Sequence, residues 1–192
     1  SMSNKFFTVT CINMVKKYYF INKFQTNNID RLDKQTTVIY RNYNAKASDR
    51  EVILKIKKYC KKKGIKFYLS NNIKLAIKLN LDGAYIPSFN KSTKHLAFSL
   101  KKKFRIVGSA HNIKEISLKC QQGCTSILFS KLFLVNYDKN AQYLGINRFN
   151  NFLKINKNLI PLGGINLSNL NNLKNVHSTG FALLSEVKKK PA

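Results

Sequence analysis

Short runs of apolar, β-branched and aromatic residues recur along the chain, each followed by a polar stretch with helical spacing. The runs are Tyr18–Asn22, Thr37–Arg41, Ile65–Ser70, Gly83–Ser88, Phe104–Ser109, Thr125–Phe133, Leu159–Gly164 and Gly180–Ser185. Short buried strands alternating with helical patterns predict βαβ units and a parallel sheet. The stretches between them carry helix signals. Ser48-Asp49-Arg50-Glu51 is a capping box, and Ile53, Leu54, Ile56, Tyr59 and Cys60 behind it form an apolar stripe. Gly64 then stands where a helix C′ residue belongs. Asn112 to Glu115 repeats the cap pattern ahead of Ile116, Leu118 and Cys120. Ser92 precedes His95, Leu96 and Phe98, while Leu167, Leu170 and Leu173 recur at a spacing of three.

Eight strands and about seven helices predict an α/β fold, a compact (β/α)8 TIM barrel in a single domain. It is small beside the ~250 residues typical of that fold. A doubly wound open sheet is the rival, but the chain has no G-x-G-x-x-G or G-x-x-x-x-G-K-[ST] sequence. The expected division is an N-terminal extension over 1–16, the barrel over 17–187 and a basic tail over 188–192. Ser1 ahead of Met2 is read as a cloning remnant, and no apolar stretch behind it suggests a signal peptide. No apolar run approaches the ~20 residues of a membrane span. Four cysteines without a paired framework point to free thiols and a cytoplasmic setting.

Charge is the most unusual feature of the composition. Thirty-five basic and eight acidic residues leave a formal +27 in 192 residues. A polyanion partner such as nucleic acid is one reading. Only five of the basic residues are Arg, however, and thirty are Lys, alongside 24 Asn. A nucleic-acid reader favours the Arg fork, and here the lysines spread over almost every helix. Compositional bias is therefore the preferred account, and nucleic acid is not an expected partner.

In such a barrel the chemistry sits at the C-terminal ends of the strands. Those ends carry Arg41, Ser70-Asn71-Asn72, Ser109-Ala110-His111, Ser130-Lys131, Gly163-Gly164 and Leu184-Ser185, a polar and cationic set with almost no acid. It suits an anionic substrate. Gly163, Gly164 and Ser185 occupy the corner where barrels commonly build a phosphate cup from backbone N–H groups. His111, at a strand end, is a candidate catalytic group, whereas His95 and His177 read as surface residues. Lys131, flanked by apolar residues, is a candidate phosphate or catalytic lysine. Cys120 and Cys124 lack the further ligands of a zinc site, and their neighbourhood reads as a buried helix end. The carboxylates Asp30, Asp33, Asp49, Glu51, Asp82, Glu115, Asp138 and Glu186 belong mostly to helix starts or loops. No paired-carboxylate chemistry and no protein-built metal cage is expected.

Ser70-Asn71-Asn72-Ile73-Lys74-Leu75-Ala76, followed by Asp82-Gly83-Ala84-Tyr85-Ile86-Pro87, resembles the third-to-fourth-strand segment of thiamine-phosphate synthases and their thiazole-tautomerase (TenI-like) relatives. The likeness continues through Gly108–His111, Ile127–Phe133, Pro161–Ile165 and Gly180–Ser185. It implies a barrel that joins a pyrimidine diphosphate to a thiazole phosphate and releases pyrophosphate. By position, Gly163, Gly164, Leu184 and Ser185 would hold the thiazole phosphate. Arg41 and Ser109 would contact the diphosphate or pyrimidine, with Ser130 beside them, and Lys131 lies near the position the tautomerase branch uses. The family's cofactor is Mg²⁺, but the two aspartates that bind it are here Asn71 and Asn90, which would face substrate instead. The glycine-histidine-glutamine series after the fourth strand is replaced by Ala84–Ser88, and the threonine- and lysine-rich sixth-strand loop by Leu134–Lys139. No cofactor is therefore expected. The expected partners are small phosphorylated molecules, with room for a homodimer and none for a membrane. Three readings stand: a synthase, a tautomerase-like or ligand-binding relative that works without metal, and a basic nucleic-acid-binding protein.

Overall fold

A computed structural model describes residues 14–42, 49–135, 140, 142–166 and 168–185. Ser48 of the capping box, Leu167, Asp138, Glu186 and most of the expected N-terminal extension and tail lie outside these residues.

Eight parallel strands close into a barrel in chain order. They are β1 (Lys16–Ile21), β2 (Thr36–Tyr40), β3 (Lys66–Ser70), β4 (Gly83–Ile86), β5 (Arg105–Ala110), β6 (Ser126–Ser130), β7 (Leu159–Leu162) and β8 (Gly180–Leu184). β8 pairs with β1, with Lys17 against Phe181 and Phe20 against Leu184. The helices α1 (Thr26–Asp30), α2 (Asp49–Lys63), α3 (Ile73–Lys78), α4 (Ile113–Gln121) and α5 (Gly145–Ile155) follow β1, β2, β3, β5 and β6. The connections after β4 and β7 hold only 3₁₀ turns, Lys94–Ala97 and Leu170–Asn175. Economy at these two crossings is how 192 residues close a barrel.

Near-continuous apolar strands exist because each strand is buried on both faces. One core fills the barrel: Tyr18, Phe20, Ile39, Tyr68, Tyr85, Val107, Leu128, Ile160, Leu162 and Ala182. The other lies between sheet and helices and includes Ile21, Val38, Ile56, Phe67, Ile86, Phe129 and Phe149. Asn72 and Asn112 cap α3 and α4, their side chains accepting from Leu75 N–H at 3.0 Å and Glu115 N–H at 2.9 Å. Gly64 closes α2 at φ +69°.

Five expectations need correction. β6 stops at Ser130, so Lys131, Leu132 and Phe133 leave the sheet and form the rim. The stretches headed by Ser92 and Leu167 are 3₁₀ turns, too short for an amphipathic face. Leu54 is 41% exposed, because α2 buries Ile53, Ile56 and Cys60, and position 54 lies off that stripe. On α4 the buried face is Ile116 with Lys119, whereas Cys120 is exposed. His95 is buried rather than superficial, its Nε2 lying 2.7 Å from the Gln122 carbonyl oxygen. An imidazole beside a fixed acceptor can be buried without an orphaned polar atom.

Candidate active site

The mouth of the barrel, at the C-terminal ends of its strands, is built on one aromatic–polar column. Phe20 and Tyr85 meet edge to face, with ring centroids 5.1 Å apart. The Arg41 guanidinium lies over the Phe20 ring at 5.5 Å. Tyr85 Oη donates to Ser109 Oγ at 2.7 Å, and both residues are buried. Arg41 is itself fixed by its backbone, whose N–H donates to Ile21 C=O at 2.8 Å. A cleft of about 930 Å³ opens beside Arg41, lined by Asn22, Lys23, Phe24, Tyr40, Asn42 and Val52.

Ser70 was legible as a strand-end residue but not as a member of the site. It ends β3, where the alternation from Tyr68 turns its side chain inward, next to Tyr85 in register. Its Oγ is buried and, among the described residues, lacks a hydrogen-bond partner. A buried hydroxyl left unpaired costs about 1–3 kcal/mol, which a ligand polar atom at the mouth would recover. Period-two alternation from Tyr68 was the signal that could have found it.

Asn71 follows at φ +59°, a left-handed conformation that Asn tolerates, and its N–H donates to Tyr85 C=O at 2.8 Å. Asn90, 19 residues further on, reaches back so that its Nδ2 donates to Asn71 Oδ1 at 2.7 Å. The two positions that would carry Mg²⁺ ligands are therefore in contact, but they do not fit the ion. Both side chains are neutral amides, and both amide oxygens are already engaged: Asn90 Oδ1 accepts from Ser92 N–H at 2.9 Å. Protein-bound Mg²⁺ is anchored by one or two carboxylates, and a neutral amide oxygen is a much poorer ligand for so hard an ion. Among the described residues no three His, Cys, Asp or Glu side chains converge.

His111 stands just past β5. Its N–H donates to Glu115 Oε2 at 2.7 Å, and its Nδ1 lies 3.0 Å from the same oxygen. A carboxylate can only accept, so Nδ1 carries a hydrogen and Nε2 is the nitrogen left for chemistry.

On the opposite rim Lys131 packs its stem against Gly163. A Cβ placed on Gly163 would lie 3.1 Å from Lys131 Cβ, and one on Gly164 would lie 2.4 Å from the Phe133 carbonyl oxygen. These glycines are required by the close passage of the β6 loop, in addition to any ligand. Asn169 Nδ2 donates to Gly164 C=O at 2.7 Å. Ser185 N–H donates to Phe20 C=O at 2.9 Å, so that amide is already spent within the sheet, against the expectation of a backbone phosphate cup at this residue. The structure thus brings together Tyr85 with Ser109, Asn71 with Asn90, and Lys131 with Gly163. Leu184 and Ser130 lie at the ends of β8 and β6, at the same mouth.

The comparisons agree with this geometry. The chain is 25% identical over 159 residues to the thiamine-phosphate synthase of Clostridioides difficile, covering 80% of this chain and 74% of that protein. It is 30% identical over 139 residues to that of Prochlorococcus marinus (strain AS9601), covering 70% of this chain but only 38% of the relative. Among solved structures, thiamine phosphate pyrophosphorylase from Pyrococcus furiosus superposes with a TM-score of 0.71 at 16% identity, covering 90% of this chain and 86% of that one. A structure titled native KDPGal superposes at 0.63 with 9% identity, covering 91% and 86%, so that likeness shows the barrel alone. The family model described as thiamine monophosphate synthase matches residues 25–187, from just after β1 through β8, and the chain belongs to that family.

Proposed function

We propose that the chain acts in thiamine biosynthesis by joining a pyrimidine diphosphate to a thiazole phosphate at the mouth of the barrel. The observation that carries the reading is the donor set there: Arg41 over Phe20, Tyr85 bound to Ser109, and the unpaired Ser70 hydroxyl, with no carboxylate among them. In the reaction a C–O bond to the diphosphate breaks and a C–N bond to the thiazole ring forms. Pyrophosphate leaves with the electron pair of the broken bond. Arg41 would neutralise part of the charge that develops on the departing oxygens, as preorganised donors do. Ser109, oriented by Tyr85, and Ser70 would align the pyrimidine. Lys131, against Gly163, would meet the thiazole phosphate together with the Ser185 hydroxyl.

Because Asn71 and Asn90 do not fit Mg²⁺, no step is assigned to a metal. A cationic site neutralises charge without the directional coordination of an octahedral ion, so coupling should be slow and metal-independent. The test is thiamine-phosphate formation from the two substrates, with Mg²⁺ and with chelator, in the wild type and in Asn71→Asp/Asn90→Asp. Wild-type turnover indifferent to chelator is expected. Turnover abolished by chelator would overturn the metal-free reading, and no product under any condition would overturn the coupling reading.

A further inference from the structure

Lys119 is wholly buried on α4, yet it is a lysine in a chain with few acids. Its stem crosses the outer face of β5 where Gly108 leaves a gap: a Cβ at Gly108 would stand 2.6 Å from Lys119 Cδ and 2.8 Å from Cys124 Sγ. The ammonium emerges beneath the β4–β5 loop. There it donates to Asn90 C=O at 2.9 Å and to Gln122 Oε1 at 2.8 Å. Gln122, equally buried, donates through Nε2 to Asn90 C=O at 3.0 Å and to Ser92 C=O at 2.8 Å. His95 closes the bracket from the loop side onto the Gln122 carbonyl. Burial lowers the Lys119 pKa. Buried polar groups are satisfied here by grip on a loop backbone, and this is an expensive way to hold a loop unless its geometry matters.

The geometry at stake is the direction of a chain of hydrogen bonds. Ser92 N–H can only donate, so Asn90 Oδ1 must be its acceptor. Asn90 Nδ2 then faces Asn71, which must offer Oδ1 in return. With that oxygen engaged, the Asn71 group left to offer a ligand is its Nδ2 amide, which can only donate. A position suited by its place to hold a cation has been given the polarity of an anion binder, with a buried positive charge behind it.

We propose that Lys119 is a positioning residue whose grip on the Asn90 loop holds in place the Asn90–Asn71 relay that Ser92 N–H orients, making the β3/β4 rim a metal-free phosphate seat with Asn71 Nδ2 as a donor. This rests on the reading of the mouth as a diphosphate site. The relay predicts that Lys119 and Asn71, which are not in contact, are energetically coupled through Asn90.

The test titrates the full chain with inorganic pyrophosphate by calorimetry, with Mg²⁺ and with chelator, in wild type, Lys119→Met, Asn71→Ala and the double variant. Each single change should weaken pyrophosphate binding about tenfold, and the double variant no more than either, with no dependence on Mg²⁺. Additive losses, or wild-type binding that requires Mg²⁺, would overturn the proposal. A merely structural lysine would give additivity. Hydrogen exchange in the same proteins provides a second readout. Lys119→Met and Asn71→Ala should both raise exchange across residues 88–95 while leaving β5 protected, and unchanged exchange would overturn the relay. If wild type binds no pyrophosphate, the diphosphate reading fails and exchange alone decides the relay. Gln122→Met, which removes the Gln122 bonds to the loop and one Lys119 acceptor but leaves the Lys119–Asn90 bond, replaces Lys119→Met if that variant does not fold.

Discussion

Gly164 and Gly145 form a matched pair for asking how much the rim depends on close packing. Both are left-handed, at φ +69° and +70°. A Cβ on Gly145 meets nothing within 4 Å, whereas one on Gly164 would lie 2.4 Å from the Phe133 carbonyl oxygen and 2.5 Å from that of Leu134. Alanine at either position incurs the left-handed strain of an L-residue, about 1 kcal/mol. Either also gains a little from a stiffer unfolded chain. These contributions cancel between the two variants. Only Gly164→Ala must displace backbone, and forced displacement in a packed region costs roughly 1–3 kcal/mol more. For a chain of this size 1 kcal/mol corresponds to about 2–4 °C in Tm. Gly145→Ala should therefore lower Tm by about 2–4 °C and Gly164→Ala by roughly 4–16 °C, measured by thermal melts in one buffer without ligand. Equal shifts would show that Phe133 and Leu134 yield freely. The glycine pair would then be a requirement of ligand binding alone.

Two further outcomes follow from burial. Cys60 and Cys124 have thiols pushed up to about 12 by burial, while Cys120 is exposed. Alkylation at pH 8 mapped by mass spectrometry should mark Cys120 and spare the other two until the chain is denatured; early labelling of Cys124 would contradict the packing under Gly108. Asp33 is half-buried, which pushes its carboxyl up, but hydrogen bonds from Lys17 and Thr36 outweigh that and leave it below the usual range. Its contribution to stability is thus present above the unfolded-state pKa of about 3.9 and lost as pH falls through the lower folded value, so the Tm deficit of Asp33→Asn should be larger at pH 7 than at pH 3.

The barrel was legible because its strands are buried on both faces. Runs such as Thr36–Tyr40, buried at every position, need no knowledge of their neighbours to be recognised. The Asn112 cap and the Gly64 stop were legible for a similar reason, each being a local rule with a local cause. What escaped depends on contacts distant in sequence. His95 is buried by the Gln122 carbonyl, 27 residues away, and nothing near position 95 announces that acceptor. Lys119 defeats any rule that places lysine outside, because its cover comes from a glycine on the neighbouring strand and its partners from the loop before that strand. The end of β6 was set too late since Leu132 is as buried as the strand residues before it, although it packs as part of the rim. The contact between Asn71 and Asn90 spans two loops, and only the resemblance linked those positions beforehand.

Donor accounting at the mouth carries the functional argument furthest. Arg41 and Lys131 can only donate. Ser109 accepts from Tyr85 and has its own hydroxyl hydrogen to give, and Ser70 has both roles open. Asn71 is forced by Ser92 N–H, through Asn90, to spend its acceptor inside the protein. Glu115 Oε2 accepts from two donors of His111. A ligand that settles among Arg41, Lys131, Ser109, Ser70 and the Asn71 amide meets mainly donors, which suits the acceptor-rich oxygens of phosphate and diphosphate. That conclusion comes from hydrogen-bond direction and is independent of the net charge of +27, which would favour any anion anywhere on the surface. On the proposed reading, it is this rim that takes the anion.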